Sequence, residues 1–349
     1  MLVTGVFRQL NMGTIHAKKV LISLSFVLFV FLTSGCAVKN LNVERTAVNT
    51  SVWKTHTIGR FLIDLPPDAE CKYSALFWKA PITWRKDLTI DTARGEAKKL
   101  AEQYKNTPHK KLSGQSMLID LIDLPGGGLA IHRWSHDFAT GMTCFDVYFI
   151  SQDSQKRVFF YSKTADVDHL EQGKQLITEM ASSLISLDEY SPLPTEPGFA
   201  FEGGFSKHIG AWRAERSTVA FTLPEYPGIK GYFACYGFGT TQKLMFERGD
   251  NEQLAEGFRS KATVLRKGDC SLGGIPGQEL GLAATEKGRR AYLFDMEAPG
   301  QGKDIARPML VLHMESENNG TDGGFSSDEQ AVGVWNAIRD SIRLRPGAV

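Results

Sequence analysis

The residues best suited to chemistry in this 349-residue chain are eight histidines, five cysteines and a plentiful set of acids. Their spacing argues against most enzymes. IHRWSHD sets His132 and His136 four apart. On a helix they would share a face and could hold a metal. The surrounding pattern reads as a strand, where positions four apart lie about 13 Å from one another. Two histidines on the solvent face of a hairpin are therefore expected, with no metal. PGGGLA, at 125–130, has glycines but no following helix, Lys or Ser/Thr for a phosphate cradle, so it reads as a hairpin turn. There is no GxSxG, HExxH, Walker loop or GxGxxG after a strand. No cofactor and no catalytic residue are expected.

Cys36 carries a different chemistry. Val20–Leu32 is thirteen uncharged residues preceded by Lys18 and Lys19, and Thr33, Ser34 and Gly35 lead into the cysteine. A basic start, a short apolar run and small residues at the exit make a secretory signal, too short for a comfortable membrane span. The end of the run resembles a bacterial lipobox with Cys36 as the lipidated first residue, although Thr33 stands where such a box usually has Leu. Several acyl chains on one residue would anchor the protein stably. Ala37 in place of Asp favours the outer membrane over inner-membrane retention, by resemblance to bacterial lipoproteins. The expected location is the periplasm, lipid-anchored to the outer membrane.

Residues 1–35 carry Arg8, Lys18 and Lys19 and no acid, so removing them leaves 314 residues with 37 basic and 39 acidic side chains, a balance of −2. A near-neutral chain without a basic block has no electrostatic footprint for nucleic acid. Cys71, Cys144, Cys235 and Cys270 remain. An even number in an oxidising compartment predicts disulfides. Three pairings are open; Cys71–Cys144 with Cys235–Cys270 keeps each bridge in one half of the chain, and buried free thiols are the alternative. No CxxC supports zinc or a redox dithiol.

The elements repeat. GRFLIDLPPD (59–68) is a strand stopped by two prolines, TARGEAKKLAEQYKN (92–106) is helical, and residues 116–137 form a hairpin around Gly126–Gly128. MTCFDVYFIS and RVFFYSKT are strands, and residues 167–187 form a helix with Ile177, Met180, Leu184 and Leu187 on one face. DEYSPLPTEPG (188–198) reads as a linker. Beyond it, STVAFTLPEYPG (217–228), a helix at 251–261, a hairpin over 277–298 turning near Glu286–Gly288, the strand MLVLHMES and a final helix repeat the order. Ser326 and Glu329 suggest a capping box there, with Ala331, Trp335, Ile338 and Ile342 on the buried face. The expected class is α+β: two similar tandem domains, each an antiparallel sheet with helices packed on one face. The expected boundaries are 1–35 signal peptide, 36–52 tether, 53–187 first domain, 188–198 linker and 199–345 second domain.

GRFLIDLPPD in the first half, with PGFAFEGGF and FTLPEYPG in the second, resemble the two-domain immunity proteins cognate to type VI secretion Tle effectors, over roughly residues 53–345. Ala200 departs from the PGFC expected of such relatives, which bears on the pairing of Cys235 and Cys270. The resemblance implies a periplasmic, non-enzymatic inhibitor that binds a lipase or phospholipase effector between two jaws. Composition singles out loops 78–90, 202–213 and 299–307 for the contact, and in them Trp78, Trp84, Glu202, Phe205, Trp212 and Arg213. The rivals are a structural or assembly lipoprotein of the outer membrane, and a hydrolase with an unrecognised site.

Overall fold

The computed structural model describes residues 48–188, 194–207, 214–248, 262–286, 288–316 and 324–349, all within one compact unit, Asn40–Val349. Cys36, Trp212, Arg213, the apolar run and the helix expected at 251–261 lie outside the described residues.

The first half runs β1 (Lys54–Ile58), β2 (Phe61–Leu65), β3 (Glu70–Phe77), β4 (Ala80–Trp84), α1 (Ile90–Lys105), β5 (Leu118–Asp123), β6 (Leu129–Trp134), β7 (Met142–Ile150), β8 (Val158–Asp166), α2 (Leu170–Ser183) and β9 (Leu184–Ser186). The second runs β10 (Gly198–Phe201), β11 (Gly204–Lys207), β12 (Arg216–Thr222), β13 (Ile229–Tyr236), β14 (Ala262–Leu272), β15 (Ile275–Glu286), β16 (Arg289–Ala298), β17 (Met309–Ser316), α3 (Asp328–Ser341) and β18 (Arg343–Leu344). Strands with helices on an antiparallel sheet give the expected α+β class. One departure is large: twelve strands form a single sheet, ordered β14-β15-β16-β17-β13-β12-β3-β4-β8-β7-β6-β5. The halves meet edge to edge at its centre, where β3 and β12 pair from Glu70↔Thr222 to Leu76↔Arg216.

The halves also exchange their opening hairpins. β1–β2 pairs with β18, which follows the last helix, and β10–β11 pairs with β9, which follows α2. Phe61, Ile63 and Leu65 accordingly sit in the core of the second half with Trp335 and Phe233, while Phe199 and Phe201 sit with Phe159 and Leu176 in the first. A bridge between Gly59 and Ala200 ties the two hairpins together. Two buried arginines fasten this crossing. Arg60 donates to both Glu215 oxygens (2.9 and 2.7 Å) and to the carbonyls of Gly198 and Ala348. Arg345 donates to the carbonyls of Pro194, Glu196 and Gly198 and lies over the Phe205 ring.

Local sequence explains the layers. α1 presents Ala93, Ala97 and Ala101 at four-residue spacing, small enough to seat it closely against Ile131 and Tyr148. Thr89 caps it by accepting from the Thr92 N–H. α2 covers the opposite face with Leu176, Ile177 and Met180. Being covered on both faces, β7 is buried without interruption from Thr143 to Ile150. Trp335 of α3 is fully buried and stacks on Phe294, 5.2 Å between centroids.

Several expectations need correction. α2 ends at Ser183, so Leu184 opens β9 and Leu187 bonds Gly203 beyond the helix. The cap of α3 is Ser327, accepting from the Gln330 N–H, rather than Ser326. All four described cysteines are free thiols. Cys71 and Cys144 stand three strands apart in the sheet and Cys235 and Cys270 four, about 14 and 19 Å by strand spacing, beyond the reach of a disulfide.

Candidate functional site

A groove of about 500 Å³ lies beside α2, within the size range of ligand clefts. Its floor is Leu176, its helical wall Gln172, Gln175 and Glu179, and its far wall Trp78, Lys79 and Ala214. Trp78 and Lys79 are the two central residues of the β3–β4 turn, and both adopt positive φ (48° and 64°). Two consecutive left-handed residues make the turn that matches strand twist, a turn that ordinarily selects Asn-Gly. Neither residue here is glycine or asparagine, so the turn is held in a costly conformation. The Lys79 N–H bond to the Ala214 carbonyl (3.3 Å) and pairing of Leu76 with Pro81 hold it there.

Lys163 of β8 places its Nζ 5.3 Å from the centre of the Trp78 ring. Burial, then the nearby Lys79 charge, pushes its pKa down. Among the described residues neither lysine forms an ion pair. Glu179 accepts from the Gln175 amide (2.8 Å).

The β12–β13 connection in the second half is built differently. It is longer, and Tyr226 from that turn packs on Phe325 just before α3 (5.0 Å between ring centroids).

The other predicted contact residues divide. Trp84, at the far end of β4, lies between Arg157 (4.2 Å) and Lys86 (4.8 Å). Glu202 pairs with Lys86 at 2.7 Å, bringing it beside Trp84. Phe205 is fully buried under Arg345, so it belongs to the core and not to a contact surface; a turn at Glu202–Gly203 points the following strand inward. Loop 299–307 is turned by the Asp304–Arg307 pair.

His132 also departs from expectation. It is buried, stacked on Phe145 at 4.4 Å, and neither ring nitrogen has a hydrogen-bond partner. Burial, with the Lys174 charge, lowers its pKa to about 4. His136 lies beyond the strand, exposed and stacked on Phe138. Among the described residues no three His, Cys, Asp or Glu side chains gather as metal ligands.

Sequence reasoning singled out Trp78 but missed Lys79, Lys163 and the polar face of α2. The usable signal was the two-residue gap between ECKYSALF and APITW, obscured because Trp-Lys lacks turn chemistry.

No curated protein matches the chain. Residues 192–347 match the family model of the Tle cognate immunity protein 4 C-terminal domain. Three solved structures are similar over most of the chain. The apo immunity protein TplEi of the type VI secretion system of Pseudomonas aeruginosa is 28% identical, with a TM-score of 0.78 over 85% of this chain and 99% of its own. A chain of the Tle4–Tli4 complex is 28% identical, with a TM-score of 0.77 over 86% and 99%. TplEi bound to an "L" peptide is 26% identical, with a TM-score of 0.73 over 85% and 100%. Immunity proteins of this kind bind effectors and are not enzymes. Residues 192–347 thus match the Tle cognate immunity protein 4 C-terminal domain, and the chain is similar along most of its length to solved Tle immunity proteins.

Proposed function

We propose that this protein is a periplasmic immunity lipoprotein that neutralises a cognate Tle effector of phospholipase or lipase activity in the producing cell. The observation that carries the reading is the match over nearly the whole length of a chain from the Tle4–Tli4 complex. The signal-like run ending in Cys36 supports export and lipid attachment. An inhibitor tethered to the outer membrane stands close to the lipid its effector attacks. Free thiols in every described cysteine make the fold independent of oxidation, so export is not needed for disulfide formation. The two halves, repeating one order of elements on either side of the β3–β12 seam, act as the two jaws of the grip. Inhibition is steric: the enzyme held by both halves cannot admit lipid. Mixing residues 37–349 with the phospholipase-like protein encoded beside this gene, and following complex formation and lipase activity together, tests the reading. Turnover of lipid by residues 37–349 alone, or absence of both binding and inhibition, overturns it.

A further inference from the structure

The groove beside α2 carries more than shape. Lys79 lines it, Lys163 stands with its Nζ over the ring of Trp78 on the same wall, and among the described residues neither lysine forms an ion pair. Lys163 is half-buried near the Lys79 charge, and a cation partly out of water opposes folding unless something answers it. The turn that presents Lys79 keeps two residues in the left-handed region where Asn-Gly would be relaxed. Strain and uncompensated charge thus fall on the same few atoms, the pattern expected where stability is given up for recognition.

We infer that this groove docks an acidic segment of the effector: a carboxylate held between Lys79 and Lys163, and an apolar neighbour laid on Trp78 and Leu176. The Gln172 and Gln175 amides on the helical wall are placed to bond the segment's backbone. Glu179 at the same wall, already bonded by Gln175, repels a second carboxylate, which fixes the direction in which the segment lies. This rests on the effector-binding reading and specifies where and by what chemistry the effector is held.

Lys79→Gly and Lys163→Gln test it, because neither change should harm the fold. The first relaxes a left-handed residue and the second removes a desolvated charge. The probe is the purified phospholipase-like protein encoded beside this gene, titrated by calorimetry with residues 37–349 at low and high salt. Each variant is expected to lose about tenfold in affinity and the pair about 30-fold or more, on the scale of charge-assisted bonds. The salt dependence should fall and the melting temperature hold or rise. Loss of affinity without loss of stability cannot come from misfolding. Unchanged affinity in both variants, with the parent binding, removes the groove from the interface and leaves the immunity reading intact. A parent that does not bind removes both. Phosphatidylglycerol vesicles serve as the second probe; variants that lose vesicle binding but keep the effector would assign the lysines to lipid and overturn the inference.

Discussion

The crossing of the two hairpins depends on Arg60, and its removal has a calculable cost. The side chain is 4% exposed and its Glu215 partner 11%. Arg60→Met keeps the aliphatic stem but leaves the Glu215 carboxylate, still largely buried, without its bidentate partner. Breaking a buried pair from one side costs about 3–5 kcal/mol. The carbonyls of Gly198 and Ala348 also lose a donor, but each keeps another: Gly198 accepts from Arg345 (3.1 Å), and Ala348 from the Gly198 N–H (3.3 Å). Their share is therefore about 1 kcal/mol. In Arg60→Met with Glu215→Leu the orphaned charge disappears too, so most of the loss should return and about 1 kcal/mol remain. Urea unfolding of residues 37–349 measures this, with a midpoint shift at constant slope marking a change in stability alone. The reasoning fails if Arg60→Met costs less than about 1 kcal/mol, or if the double variant is no more stable than the single one.

Other expectations follow from the same geometry. His132 is neutral when buried, with a pKa near 4 against the ordinary 6.5; below pH 6.5 the unfolded chain takes up the proton first, so stability is full above that pH and declines by about 3 kcal/mol down to pH 4. His132→Phe should flatten this part of the urea-midpoint profile, and an unchanged slope would exclude His132 as its source. Thiol titration of unfolded, unreduced residues 37–349 should find four free groups; none would restore the disulfide expectation. Gly203→Ala places a Cβ 2.4 Å from the Trp84 ring at φ +73°, a clash expected to cost about 1–3 kcal/mol by urea unfolding. Trp335→Ala should cost about 3–5 kcal/mol by the same assay, since a fully buried ring stacked on Phe294 is lost.

Local sequence was informative where local forces decide. FLIDL stopped by Pro66, the glycine turn before Leu129, and the apolar stripe Ile177–Met180 each carry their own signal, and each appears where expected. The exchange of hairpins was not legible, because β2 meets β18 and β9 meets β11 through pairings that periodicity cannot specify. Phe205 illustrates the consequence: read locally it follows a Gly-rich turn and seems free to face a partner, but pairing with β9 and β10 turns it into the core. The cysteines were misjudged for a related reason. Their even count favoured bridges, whereas the order of strands in the sheet, set by long-range pairing, keeps them apart. β1, β3, β4 and β14 were passed over because partly exposed strands such as ECKYSALF mix polar and apolar residues too evenly.

The central claim is that this chain neutralises one effector by binding it. The most direct measurement titrates residues 37–349 into the phospholipase-like protein encoded beside the gene while lipid hydrolysis is followed. The account predicts activity falling to nothing near one equivalent, with a stable one-to-one complex in the same sample. Full lipase activity in the presence of excess protein, with the two eluting separately, would contradict it and return weight to an assembly role in the envelope.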